Sequence, residues 1–140
     1  MDWMIRDALE QSSSFSDAVI YCQNTKMSSP GYVIIGGLSG NQGVVLSRDR
    51  DGTAEERWIH EESDNWYVLE TNSDIWDKQH TSKRYQAALK DLSKVGEKGI
   101  TLETMREDVL NIPPVLQPTT VFTTTMSASL DVFETKVQNS

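Results

Sequence analysis

The sequence predicts an α+β layered fold: a helix, a block of four short strands, two helices and two closing strands. Three observations lead there. Apolar residues recur at helical spacing in separate stretches. Short, continuous β-rich runs lie between those stretches. Glycine, proline and polar clusters punctuate the joins.

Residues 2–11 mix polar and apolar and read as the end of a helix. Ser14-Phe15-Ser16-Asp17 has the form of a capping box, a Ser oxygen facing an amide three residues on where an acid sits. Phe15, Ala18, Val19 and Cys22 then share one helical face. Ser28-Ser29-Pro30-Gly31 stops that helix. Tyr32-Val33-Ile34-Ile35 and Gly43-Val44-Val45-Leu46-Ser47 read as strands, and the polar turn Ser39-Gly40-Asn41-Gln42 makes them a hairpin. Arg48 to Gly52 is a charged turn. Arg57-Trp58-Ile59-His60 and Trp66-Tyr67-Val68-Leu69-Glu70-Thr71 read as two more strands, joined by the acidic loop 61–65. Tyr85, Ala88, Leu89, Leu92 and Val95 line a helix broken by Gly96 and Gly99. Thr101 caps a second helix carrying Leu102, Met105 and Val109 on one face, and Pro113-Pro114 ends it. Thr120 to Met126 and Val132 to Val137 are the last strands.

With 140 residues and 15.8 kDa, the chain reads as a single domain, 1–140, or part of one. Its 13 Lys and Arg against 21 Asp and Glu give a net charge of −8. That balance argues against nucleic acid as a partner, because phosphate binding needs clustered cations. One cysteine excludes a disulfide framework. No apolar run approaches the ~20 residues of a transmembrane helix. The start Met-Asp-Trp-Met-Ile-Arg-Asp shows no signal peptide.

Most chemically capable residues have a structural explanation. Cys22 lies on an apolar helix stripe with no base beside it, which suits an inert buried thiol. His60 and His80 lack metal-ligand spacing, so neither a metal nor a cofactor is expected. Gly36-Gly37-Leu38-Ser39-Gly40 lacks the lysine of a phosphate loop and reads as a turn. No nucleophile elbow supports a serine hydrolase. Two places stand apart. Asn72 closes an apolar run where a turn residue is expected, yet its amide N–H can stabilise an oxyanion. Lys83-Arg84 opens a helix, where cations oppose the macrodipole.

Gly36-Gly37, Val44 to Arg50, and Trp66 to Glu70 running into Thr71-Asn72-x-Asp74-x-Trp76, in that order, resemble the C-terminal half of the acid ceramidase and N-acylethanolamine-hydrolysing acid amidase family. The resemblance continues through Lys83-Arg84-x-x-Ala87, the 101–109 helix, Pro114-Val115 and Val121-Phe122-Thr123-Thr124, and spans about Trp3 to Val137. It implies part of an αββα N-terminal-nucleophile sandwich with mainly antiparallel strands, incomplete without an upstream half. It implies hydrolysis of the amide bond of N-acyl lipids, ceramide or N-acylethanolamine, by an N-terminal cysteine upstream of this chain. The 140 residues alone would then be inactive. Asn72 matches the family's oxyanion asparagine. Arg84 matches its supporting arginine, with Lys83 as the alternative, since the family's Asp-Asp-Arg-Arg stretch reads Thr81-Ser82-Lys83-Arg84 here. The implied partners are an N-acyl lipid substrate and the upstream half, with contact to a membrane surface left open. The full-length family is lysosomal. The competing reading is a non-catalytic interaction protein derived from a half-domain. In either case the isolated chain should associate or fold poorly, because its sheet would keep an open edge and an uncovered apolar face.

Overall fold

The computed structural model describes residues 3–59, 65–72 and 82–138. The chain is compact in two units, Met1–Val68 and Leu69–Ser140.

The first unit holds helices α1 (Met4–Gln11) and α2 (Phe15–Asn24) and strands β1 (Gly31–Gly36), β2 (Gly43–Arg48) and β3 (Thr53–Trp58). The strands form an antiparallel sheet in the order β1-β2-β3. α1 occupies the stretch that reads as the end of a helix. At α2 the Ser14 hydroxyl accepts from the Asp17 amide at 3.1 Å, as its spacing requires. The Asp17 carboxylate accepts a hydrogen bond from the Ser13 hydroxyl at 2.7 Å, so the cap draws on a neighbour that the motif does not include. The 37–42 turn closes through Gly37 N–H to Gln42 O at 2.8 Å. Gln42 Oε1 also accepts from the Leu38 and Ser39 amides, at 2.9 and 3.1 Å.

β2 is the middle strand and is buried at every position. Val44 and Leu46 pack with Val33, Met4, Ala8, Val19 and Cys22, and Phe15 meets Trp58 edge-to-face at 6.2 Å along the rim. Arg48 is buried as well. It donates through Nη2 to Thr25 O at 2.8 Å and through Nε to Gly52 O at 2.7 Å, which ties the end of α2 to the turn before β3.

The second unit holds α3 (Lys83–Val95), a 3-10 turn (Glu97–Gly99), α4 (Leu102–Met105) and the hairpin β4 (Phe122–Ser127) with β5 (Val132–Val137). α4 runs on as a π-helical turn, Arg106–Leu110, so the expected single helix changes its hydrogen-bonding period partway. Thr101 and Thr104 close a full capping box at its start. Ala88, Leu92 and Val109 are the buried apolar residues here. One face of the hairpin carries Thr123 and Thr125, both buried. Gln138 Nε2 fixes that face, donating to Thr123 Oγ1 at 2.9 Å and to Asn111 Oδ1 at 3.0 Å. The other face pairs Phe122 with Val137 and Met126 with Phe133, and all four side chains are exposed.

Two strand expectations are corrected. The third strand begins at Thr53 rather than Arg57, because the charged residues Glu55 and Glu56 sit in an edge position that needs no apolar run. The segment Trp66 to Thr71 is not a strand among the described residues. Its composition suits a pleated surface, and the strand orders β1-β2-β3 and β4-β5 do not include it. His60 falls outside the described residues, as do His80, Asp74 and Trp76.

Candidate active site

α3 begins where Ser82 supplies the cap. Its hydroxyl accepts from the Tyr85 amide at 3.0 Å, and no acid stands in the first turn. Lys83 and Arg84 therefore meet the positive end of the helix. The structure separates the two cations. Lys83 is exposed and meets no partner among the described residues. Arg84 is half-buried, and its Nη2 donates to Asn72 Oδ1 at 2.5 Å. Of the two candidates for the supporting cation, Arg84 is the one beside Asn72.

That contact has a chemical consequence. A guanidinium carries donors and no acceptor, so the amide atom facing it must be oxygen. The Asn72 Nδ2 group is then turned away from Arg84. Nothing among the described residues accepts from it. An oriented donor of this kind, held by a charge-assisted bond, is what a developing oxyanion requires.

A second tie lies one residue earlier. Thr71 Oγ1 and Ser82 Oγ share a hydrogen bond of 3.1 Å, and the Thr71 amide donates to Glu70 Oε1 at 2.7 Å. Sequence reasoning missed Thr71 and Ser82 as members of this cluster. Ser82 carries a visible signal, a hydroxyl residue directly before a helix. The partnership with Thr71, eleven residues away, has no local signature.

The remaining candidates stand apart from this cluster. Cys22 is in the core of the first unit, 3% exposed. Burial pushes its thiol up, and the charge of Arg48 offsets this only in part. A thiol held protonated and enclosed is a poor nucleophile. No grouping of potential metal ligands occurs among the described residues, and no helix there is long and apolar enough to cross a membrane. An open groove of about 450 Å³ between α3 and α4, lined in part by Asp91, Lys94, Asp108 and Ile112, shares no residue with the Asn72 cluster.

Comparison with known proteins gives this arrangement a context. No protein-family model matches the chain. A solved structure of the Caenorhabditis elegans N-acylethanolamine-hydrolyzing acid amidase ortholog matches with a TM-score of 0.84 at 33% identity, covering 98% of this chain and 60% of that one. The fold is thus α+β with antiparallel strands, and is part of an N-terminal-nucleophile hydrolase fold. In sequence, the N-acylethanolamine-hydrolyzing acid amidase of C. elegans is 35% identical over 93% of this chain. The acid ceramidase of Macaca fascicularis is 33% identical over 98%. The chain belongs to the family of these lipid amide hydrolases, as the ordered motifs around Asn72 imply. It spans 36% of the length of the first relative and 35% of the second.

Proposed function

We propose that these residues form the oxyanion-stabilising portion of an N-acyl lipid amidase, the C-terminal portion of its hydrolase domain. The observation that carries the reading is the Arg84-to-Asn72 hydrogen bond, which holds the Asn72 amide by its oxygen and turns its N–H group away from Arg84. The names of the relatives supply the substrate class, ceramide or an N-acylethanolamine.

In this mechanism the nucleophile is the N-terminal cysteine that the family resemblance implies, outside these 140 residues, while Cys22 is enclosed and held protonated. The α-amino group of that cysteine takes its thiol proton, and the sulfur attacks the amide carbonyl carbon. The carbonyl π electrons move onto oxygen. Asn72 Nδ2–H donates to that oxyanion, an interaction worth ~3 kcal/mol in a site closed to water. As the tetrahedral adduct collapses, the C–N bond breaks and the amine leaves with the proton returned by the α-ammonium. Water then hydrolyses the thioester and releases the fatty acid. Arg84 serves by orienting Asn72.

The apolar face of the hairpin supports a partner as well. Phe122 with Val137 and Met126 with Phe133 form two exposed apolar pairs on one hairpin face, with Thr124 and Thr135 between them, which an upstream half of the same hydrolase would cover. In the complete enzyme, residence would be lysosomal, as the ceramidase resemblance implies. The same face favours the second reading, a non-catalytic interaction protein.

One experiment separates the readings. The complete open reading frame is expressed, the purified product is sequenced from its N-terminus, and turnover of ceramide and of an N-acylethanolamine is measured. A processed chain beginning at cysteine, with turnover of either lipid, is the expected result. A product without a cysteine start and without turnover overturns the amidase reading and leaves the interaction protein.

A further inference from the structure

We infer that the Thr71–Ser82 hydroxyl pair is a positioning device that holds the Asn72 amide at the angle its oxyanion role requires. The inference rests on the amidase reading and adds two residues to it.

Side-chain hydrogen bonds from adjacent residues tie the 69–72 segment to the start of α3. One joins Thr71 to Ser82, and another joins Asn72 to Arg84. A single hydrogen bond between two side chains leaves both free to swing together. A second tie from the adjacent residue removes that freedom, because it fixes the backbone from which Asn72 projects. Ser82 suits this task because it is itself fixed. Its hydroxyl accepts from the Tyr85 amide at 3.0 Å and its carbonyl accepts from the Gln86 amide at 3.2 Å, so it belongs to the rigid first turn of α3. Its hydroxyl still has one proton and one further lone pair for Thr71. Thr71 contributes a β-branched side chain with restricted χ1 freedom, and its amide is already committed to Glu70. Both hydroxyls are partly buried, so water competes weakly for them. The device therefore runs from helix cap to hydroxyl pair to backbone to amide. Neither Thr71 nor Ser82 touches the reacting atoms in this scheme.

Thr71→Val is the decisive variant. It keeps the branched shape, removes the hydroxyl and leaves the Ser82 cap intact. Thr71→Ser restores the hydroxyl. Ser82→Asp keeps both the cap and an acceptor for Thr71, whereas Ser82→Ala removes both. The measurement is kcat and KM for an N-acyl amide in the complete chain, with melting temperature alongside. Thr71→Val should lower kcat about tenfold while KM stays within about twofold, as expected when a stabilising group loses its aim. Thr71→Ser and Ser82→Asp should stay within about threefold of wild type. The melting temperature of Thr71→Val should stay near wild type, which a merely structural role would not allow. Wild-type kcat in Thr71→Val, or an equal fall in Thr71→Ser, overturns the positioning role alone. Absence of turnover in the wild-type complete chain overturns the amidase reading, and the inference falls with it.

Discussion

The two units treat their strands in opposite ways. In Met1–Val68 the central strand β2 is buried at all six positions, and a single cluster joins it to both helices. In Leu69–Ser140 the strand β5 is exposed at five of its six positions, and the hairpin turns Phe122, Met126 and Phe133 outward. The first unit has a core of its own. The second places one hairpin face on polar contacts and leaves the other without cover. Yet the second unit holds Asn72, Thr71, Ser82 and Arg84. Stability and candidate chemistry are thus carried by different stretches of one short chain, and substitutions in the two units should have different readouts.

The largest effect should come from the first unit. Leu46 is fully buried, so Leu46→Ala removes packing and leaves a cavity that the sheet cannot close. The expected loss is about 3 kcal/mol or more, read as a lower denaturation midpoint. A loss under about 1 kcal/mol would show that β2 is not the anchor, and the contrast would fail. Asn72→Ala should act the other way. Asn72 is exposed and lies in no core, so stability should move by less than about 0.5 kcal/mol. Turnover in the complete enzyme should fall ~100-fold or more. Near-wild-type turnover would remove Asn72 from the site.

A smaller effect is expected at the cap of α2. Ser14→Ala should cost about 1 kcal/mol, because one amide at the helix start loses its acceptor. The same cap is sensitive to pH. The hydrogen bond from the Ser13 hydroxyl, followed by the contact with Ser14, holds the Asp17 carboxyl below its ordinary value. A depressed carboxylate contributes stability above its unfolded pKa, and that contribution is lost as pH falls through the folded value. Acid titration should therefore loosen the start of α2, and Asp17→Asn should flatten that dependence. An unchanged acid profile in Asp17→Asn would show that the Ser13-Ser14-Asp17 group plays no part in it.

The elements that the sequence reveals are those with local causes. α2, the β1–β2 turn, α3 and the β4–β5 hairpin each follow from a cap, a period or a turn within a few residues. Trp66 to Thr71 shows where that reasoning stops. Its residues favour a pleated surface, yet it is not a strand among the described residues, and sequence preference alone does not specify strand pairing. The site divides along the same line. Asn72 and Arg84 draw notice singly, one as a polar end to an apolar run and the other as a misplaced cation. Their contact closes across twelve residues and depends on the path between them. The Thr71–Ser82 tie is less visible still, since threonine and serine have so many ordinary uses in turns and caps.

The smallest effect sharpens the comparison most. Phe133 is 73% exposed and pairs across the hairpin with Met126. In the isolated 140 residues, Phe133→Ser should change stability by no more than about 0.5 kcal/mol, because little apolar area returns to water. It should also reduce self-association, measured by sedimentation velocity, because it breaks an exposed apolar pair. In the complete chain the same substitution should cost about 2 kcal/mol, provided an upstream half covers the hairpin. Equal small costs in the two contexts would mean that the face stays in solvent in the complete protein. The second unit would then be a finished surface rather than half of an interface.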